Sequence, residues 1–201
     1  EDLHEDGVID EKDRTFLGNP APKFTFGFNN YFAYKGFDLN IFLNGSVGNK
    51  AVNLIRRTFT DPMRNSNLLK EATDIALIGM HDPEVGDEVL SNVYVANADA
   101  AKVQRITTSS ANDNNRISDR FVEDASYLRL KSLSFTYRLP KKAIQRWGFN
   151  NIDVYVTGYN LFTWTKYTGQ DPEVKTENTY ARDTATTPAS IQLVAGFNLS
   201  F

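Results

Sequence analysis

Alternation of apolar and polar side chains is the main pattern along this chain. It is clearest in residues 191–201, where mostly small or polar residues separate six apolar ones: Ile191, Leu193, Ala195, Phe197, Leu199 and Phe201. A period of two is typical of a β-strand, because successive side chains point to opposite faces of a sheet. The apolar face would pack on a core in a soluble sheet. It would face lipid in a membrane barrel, which about ten tilted residues suffice to cross.

Four more segments carry the same pattern. Two of them, within residues 23–48, are separated only by Lys35 and Gly36, which predicts a tight β-hairpin. The segment 127–139 predicts a strand with a bulge between Leu130 and Leu133, where the apolar positions change parity. Residues 152–164 predict another strand, but both of its faces are fairly apolar, so its outward side stays open. The chain therefore predicts five strands.

The connections between these strands alternate between short and long. Residues 49–120 show little alternation and predict a long loop, with a helix-like stretch near Leu68 to Met80 and solvated charges at Lys70, Glu71 and Asp74. Residues 141–147 predict a short helical turn, and residues 166–188 form a polar segment. A loop as long as residues 49–120 is unusual in a compact soluble domain. Membrane barrels place short turns on one side and long loops on the other, so the pattern favours a barrel.

Composition narrows the alternatives further. The chain has 14 Phe and 9 Tyr, which favours strands and interfacial aromatic belts. It has no cysteine, which excludes disulfides and thiolate zinc sites. The net charge of -3 and the lack of basic clusters argue against nucleic acid as a partner. Residues 1–10 lack the pattern of a signal peptide, so export would require a signal upstream of Glu1.

The acidic segment 1–22 contains a sequence similar to a twelve-residue calcium loop. Gly7 stands at the sharp bend of that pattern, whereas His4 and the final aspartate depart from it. An acidic turn held by side-chain hydrogen bonds to the backbone is the alternative. The candidate calcium ligands are Asp2, Asp6, Val8, Asp10 and Asp13.

Catalytic chemistry has little support in the sequence. His81 precedes Asp82, but a solvated loop position explains this pair as well as a catalytic or ligand role. A glycosidase would need two carboxylates at a defined separation, and nothing singles out such a pair among the acidic residues. We therefore expect no enzymatic activity, no catalytic residue, and no cofactor other than a calcium ion.

Four segments in order resemble one protein family. They are Asp6–Thr15 with Leu17–Pro20, Tyr34–Leu39, Phe121–Lys131, and Asn160–Tyr167 with Gly169–Glu173. Together they resemble the carboxy-terminal part of SusC/RagA-type TonB-dependent outer-membrane transporters of Bacteroidetes. The resemblance implies an all-β fold, with this chain supplying the last five antiparallel strands of a transmembrane barrel of about 22 strands. The plug and the segment that contacts TonB have no counterpart here, so we expect a fragment.

The resemblance also implies a layout and a function. The layout is an extracellular acidic loop at 1–22, a hairpin at 23–48, a long extracellular loop at 49–120, and the last three strands within 121–201. The function is TonB-energised uptake of oligosaccharides or peptides across the outer membrane, with a SusD-like surface lipoprotein. The alternative is a soluble, calcium-containing β-sandwich that binds carbohydrate.

Individual residues receive expected roles within that picture. Trp164 and Tyr167 would stack on sugar rings or belong to an interfacial aromatic belt. Asp171 and Glu173 would lie in an outer loop, either solvated or in contact with substrate or the lid protein. The final aromatic residue, Phe201, would serve as the signal that barrel-assembly machinery recognises.

Overall fold

A computed structural model describes residues 3–5, 9–87, 89–107, 113–174, 176–177, 180–185 and 187–201. The chain divides into two compact units. The sheet unit comprises Gly18–Ala51, Glu123–Arg182 and Thr186–Phe201, and the insertion unit comprises Glu1–Leu17, Val52–Val122 and Asp183–Ala185. None of the helices within the described ranges is long and apolar enough to span a membrane.

Strands dominate the secondary structure. In chain order they are β1 (Phe24–Tyr34), β2 (Phe37–Val47), β3 (Lys50–Asn53), β4 (Ile78–Met80), β5 (Val93–Val95), β6 (Val122–Asp124), β7 (Tyr127–Arg138), β8 (Asn151–Thr165), β9 (Thr176–Glu177), β10 (Tyr180–Asp183) and β11 (Gln192–Ser200). The α-helices are α1 (Leu54–Phe59) and α2 (Lys141–Ile144). Turns of 3₁₀ helix occupy Glu11–Asp13, Lys70–Thr73, Leu90–Asn92, Asp119–Phe121 and Gln145–Trp147.

The sheet unit is built on one five-stranded sheet in the order β1, β2, β7, β8, β11. Every neighbouring pair is antiparallel, which confirms the five predicted strands. The β1–β2 hairpin turns at Lys35 and Gly36, whose φ angles of 47° and 87° are the positive values that a tight hairpin turn requires. A side chain on Gly36 would also collide with the backbone, because an added Cβ would lie 2.9 Å from the Arg138 carbonyl oxygen.

The short and long connections leave from opposite ends of this sheet. At one end, Phe37 faces Tyr137 and Arg138 faces Asp153, next to the β1–β2 and β7–β8 turns. We call this the turn end. At the other, Tyr127 lies between Ser46 and Thr165, and the β2–β7 and β8–β11 connections begin there. We call this the loop end. The predicted segregation of short and long connections is therefore confirmed.

The predicted bulge in β7 is confirmed, and β8 carries a second irregularity at the same height. Between Leu130 and Ser132, β7 has one residue more than the facing part of β2. On its other side these two residues face Phe162 and Tyr159, so β8 holds the extra residue there, where Asn160 has a φ of 52°. At the bulge the apolar positions of β7 change from odd numbers, such as Phe135, to even numbers, such as Leu128, whereas those of β8 stay even, from Val156 to Phe162.

The insertion unit corrects the helix prediction for Leu68 to Met80. This stretch contains only the 3₁₀ turn at Lys70–Thr73 and strand β4, while the α-helix lies earlier, at α1. Asn53 starts α1 by accepting a hydrogen bond from the Arg56 backbone N–H at 2.8 Å. Beyond the 3₁₀ turn, the Ala76 N–H donates to the Val103 carbonyl at 2.9 Å. Pairing with a distant segment thus replaces the helical hydrogen bonds that local sequence would favour.

Two smaller sheets accompany the large one. One is four-stranded, in the order β6, β3, β10, β9, and the other pairs β4 with β5. Within the sheet unit, a small buried cluster consists of Ala51, Ala125, Tyr167 and Ala181, with Val174 packed against it. This cluster lies just beyond the loop end, so the connections there are packed structures and not open loops.

Candidate functional site

One face of the five-stranded sheet is apolar across its whole width. Facing residues of neighbouring strands share a face, so the register identifies its members. One row crosses all five strands through Phe32, Leu39, Phe135, Val156 and Ala195, and the next through Tyr34, Phe37, Tyr137, Val154 and Phe197. Many of these side chains are exposed. On β11, for example, Leu193 and Phe197 of this face are 75% and 67% exposed. We call this surface the apolar face.

The apolar face settles the outward side of β8, which the sequence left open. Val154 and Val156 lie on it below the irregularity, and Phe162 and Trp164 lie on it above. An exposed apolar surface of this extent marks contact with a membrane or a partner. A β-sandwich would instead cover such a face with a second sheet.

The opposite, polar face carries hydroxyl, amide and charged side chains. A row across it runs through Asn40, Ser134, Thr157 and Val194. The hydroxyls of Ser134 and Thr157 lie 2.8 Å apart and share a hydrogen bond. The five strands therefore have one side suited to lipid and one suited to a hydrated interior, as the wall of a transmembrane barrel requires.

Arg129 is the most deeply buried charge on the polar face. Its side chain is 2% exposed, and its guanidinium donates to three oxygens on two other segments. Nε donates to the Thr163 hydroxyl at 2.9 Å, and the two Nη atoms donate to Asp171 at 2.5 Å and Glu173 at 2.9 Å. The guanidinium also lies 5.3 Å above the centre of the Tyr127 ring. We call these five residues the Arg129 cluster. These contacts attach the connection that follows β8 to strand β7.

The Asp171 carboxylate accepts hydrogen bonds from three residues. Besides Arg129, its carboxylate accepts hydrogen bonds from the backbone N–H groups of Glu173 and Ala189, each at 2.9 Å. Burial alone would raise the pKa of Asp171, but these backbone donors and the Arg129 guanidinium outweigh it and hold the pKa below its usual value. The prediction of a solvated Asp171 is therefore wrong, because its oxygens accept these hydrogen bonds, while a contact of Asp171 with substrate or the lid protein stays a prediction.

The structure places the two aromatic candidates in different surroundings. Trp164 is 54% exposed and lies on the apolar face beside Phe162, with the two rings 6.1 Å apart. Tyr167 is only 6% exposed and belongs to the buried cluster with Ala51, Ala125 and Ala181. Little of the Tyr167 ring is accessible for stacking on a sugar, and Trp164 has the position expected of an interfacial aromatic belt. Their substrate-contact role stays a prediction without support from these positions.

The predicted calcium loop is described only in part. Asp2, Asp6 and Val8 lie outside the described residues. Asp13 accepts backbone hydrogen bonds from Leu3 at 2.7 Å and from Asp10 at 2.8 Å, and Asp10 accepts one from Lys12. The hydrogen bond from Asp10 is the main reason that the pKa of Asp13 falls to about 2. These contacts match the acidic-turn alternative, and the calcium site itself stays a prediction.

Side chains in the insertion unit make contacts that the sequence did not predict. Glu71, expected to be solvated, accepts two hydrogen bonds from Arg56, at 2.7 and 3.0 Å. Arg56 holds the pKa of Glu71 below its usual value. His81 does not pair with Asp82 but packs on Tyr94, with ring centres 4.9 Å apart. This unit also contains a cavity of about 440 Å³ lined by, among others, Ile78, Val95, Gln104, Arg105 and Arg120.

Comparison with known proteins places this geometry in a family. No protein-family model matches the chain. The chain is 35% identical over 177 residues to the TonB-dependent receptor P3 of Formosa agariphila, which covers 88% of this chain and 15% of that protein. It is 24% identical over 201 residues to the TonB-dependent receptor SusC of Bacteroides thetaiotaomicron, covering 100% of this chain and 17% of that protein. Among solved structures, the RagAB peptide importer in its closed-closed state superposes with a TM-score of 0.66 and 25% identity, over 90% of this chain and 17% of that chain.

The chain corresponds to a segment of a SusC/RagA-type TonB-dependent transporter. The five antiparallel strands are transmembrane β-barrel strands, which confirms the predicted all-β fold class. The chain spans between 15% and 17% of the length of these relatives. It therefore contains a part of the wall of such a SusC/RagA-type barrel.

The Arg129 cluster is the feature that sequence reasoning missed. Two of the segments that carried the family resemblance contain its members, Arg129 in one and Asp171 with Glu173 in the other. Only the fold shows that these segments meet, since Arg129 and Asp171 are 42 positions apart. A signal was present, because a lone arginine between apolar residues on a strand needs a carboxylate partner when it is buried.

Proposed function

We propose that this chain forms part of the barrel wall of an outer-membrane importer for large nutrients. The observation that carries the proposal is the two-faced five-stranded sheet, whose exposed apolar face lies opposite a hydrogen-bonded polar face. Similarity to TonB-dependent receptors supports uptake energised by the TonB complex. The apolar face lies in lipid and the polar face lines the lumen.

The proposed partners and substrates are those of SusC/RagA-type transporters. The importer works with a SusD-like surface lipoprotein, and its substrates are oligosaccharides or peptides. Similarity to SusC and to a complex named as a peptide importer supports this proposal. The loop end of the sheet faces outward, because barrels of this kind carry their long connections on the extracellular side. No catalytic step is part of this function.

Deletion of the full-length gene in its source organism tests the proposal. We expect the deletion strain to lose growth on one class of substrate, supplied either as oligosaccharides or as peptides, and to retain growth on the corresponding monomers. Complementation with the wild-type gene should restore growth. A tagged full-length protein should also sediment with the outer membrane and co-purify with a surface lipoprotein. Recovery of the protein in the soluble fraction would overturn the proposal and favour the carbohydrate-binding sandwich.

A further inference from the structure

A groove of about 480 Å³ opens near the loop end of the sheet. Its lining includes three residues of the apolar face, Phe26, Leu128 and Trp164, and also Ser126 and Lys166 from the connections beyond the strands. The groove thus joins an apolar floor to a polar rim. Neither the family resemblance nor the transport function explains it.

A glycine shapes the apolar floor. Phe26, Gly45, Leu128 and Trp164 form one row across four neighbouring strands. A Cβ on Gly45 would lie 2.5 Å from the Phe26 ring, so the missing side chain lets that ring lie across β2. Leu128 then forms a low floor beside the exposed indole of Trp164. The resulting trough is flanked by aromatic rings, which suits a hydrocarbon chain.

The rim of the groove has an excess of positive charge. Lys166 directly follows β8 and lines the groove, and Lys50 lies near Asp124, the carboxylate on this rim. Asp124 accepts hydrogen bonds from the Ser126 hydroxyl at 2.5 Å and the Ser126 N–H at 2.9 Å. These bonds are the main reason that its pKa is lowered, and the two lysines add to the effect.

Lys166 is the cation that lines the groove, and Lys50 adds a second positive charge near Asp124. Neither ammonium group has a hydrogen bond or an ion pair with a described residue. Two cations stand against one carboxylate, whose Oδ1 accepts both hydrogen bonds from Ser126. This charge balance is complementary to an anion, and the apolar floor directly below is complementary to a hydrocarbon chain.

We propose that this groove binds a membrane lipid with an anionic phosphate headgroup. The phosphate meets Lys166, with Lys50 nearby, and an acyl chain lies along Phe26, Leu128 and Trp164. This inference rests on the proposed membrane position of the apolar face. It adds a specific headgroup site at the outer edge of a surface that otherwise contacts lipid without selectivity.

Fluorescence quenching in the full-length transporter tests the proposal. The protein is studied in detergent micelles that contain brominated phosphatidic acid, or brominated phosphatidylcholine with the same acyl chains. The signal of Trp164 is the difference between wild type and Trp164→Phe. We expect half-maximal quenching at about fivefold lower mole fraction for phosphatidic acid, the preference expected from one lysine at an anionic lipid surface.

Lysine variants distinguish specific binding of the headgroup from unselective contact with lipid. Lys166→Gln should remove most of the preference, and Lys166→Arg should keep it. Lys142→Gln, which removes an exposed charge from α2 near the turn end, is the matched control and should leave the preference unchanged. Equal quenching by both lipids, or a preference that survives Lys166→Gln, would overturn the headgroup site while leaving the apolar face in lipid. No Trp164-dependent quenching by either lipid would overturn the membrane position as well.

Discussion

The two faces of the five-stranded sheet are made by the same strands but are stabilised in opposite ways. On the apolar face, aromatic and aliphatic side chains such as Phe135 and Val156 are exposed and need no specific partner. On the polar face, several side chains have defined partners, as in the hydroxyl pair of Ser134 and Thr157 and in the Arg129 cluster. The first face depends on what surrounds the protein, and the second depends on contacts within it. Substitutions should therefore act through different mechanisms on the two faces.

The largest effect should come from the polar face, at Arg129. Arg129→Met removes the cation from a buried cluster and leaves the Asp171 carboxylate without its ionic partner. We expect the full-length transporter to lose about 3 kcal/mol in free energy of unfolding, the lower end of the cost of breaking a buried pair. Denaturant unfolding in lipid vesicles measures this loss.

Arg138→Met is the matched control for this change. Arg138 lies on the same strand and the same face, at the turn end, and its side chain is 56% exposed beside Asp153 at 3.2 Å. An exposed pair of this kind contributes about 1 kcal/mol or less. The double variant Arg129→Met with Asp171→Leu should recover part of the stability, because the only carboxylate that it leaves without its cation is that of Glu173, which is half-exposed. Equal losses for Arg129→Met and Arg138→Met would show that burial of the cluster has no energetic role.

A charge on the apolar face should have the next largest effect. Leu193 and Val194 are adjacent aliphatic residues of β11, and they lie on the apolar and polar faces respectively. We expect Leu193→Arg to cost about 2 kcal/mol, because a charge near the middle of the lipid-facing surface loses its hydration. Val194→Arg points toward the hydrated side and should cost well under half of that. The same vesicle unfolding experiment compares the two, and similar costs would contradict the assignment of the faces.

The two faces also differ in how far they could be predicted from the sequence. The apolar face follows from alternation alone, which is why the hairpin at Lys35–Gly36 and the bulge near Leu130 were predicted correctly. Only the outward side of β8 was not predicted, because Tyr155 and Tyr159 on its polar face make both faces look apolar. The register with β7 resolves this, and register is not visible in a single strand.

Contacts between side chains on the polar face and beyond the loop end could not be predicted from alternation. Glu71 and Asp171 both looked like solvated charges, since nothing in the local sequence shows that Arg56 or Arg129 lies beside them. The helix expected near Leu68 to Met80 failed for a related reason, because the Ala76 backbone pairs with Val103. Tyr167 was expected to stack on sugar rings or to lie in an interfacial aromatic belt, but it is buried against three alanines. Each of these depends on contacts between distant segments.

Acidification should weaken the polar face by a smaller amount. The pKa of Asp171 is lowered in the folded state, so its contribution is complete above the unfolded value of about 3.9. The contribution is lost as the pH falls through the lower folded value. The difference in unfolding midpoint between wild type and Asp171→Asn should therefore be constant from pH 7 to about 5 and shrink below about 4. A difference that is independent of pH down to 2.5 would show that the Asp171 charge does not stabilise the fold.

The smallest stability effect, but an informative one, should come from Phe201 at the turn end. Its ring packs against Phe149 with centres 5.1 Å apart, a contact that contributes about 1 kcal/mol. Phe201→Ser and Phe149→Ser both break this contact, so both should reduce the stability of the full-length transporter by a similar amount. If Phe201 also serves as the assembly signal that the sequence predicts, only Phe201→Ser should lower the level of transporter in the outer membrane by several-fold. Quantitative blotting of membrane fractions compares the two variants, and equal levels would assign Phe201 a packing role alone.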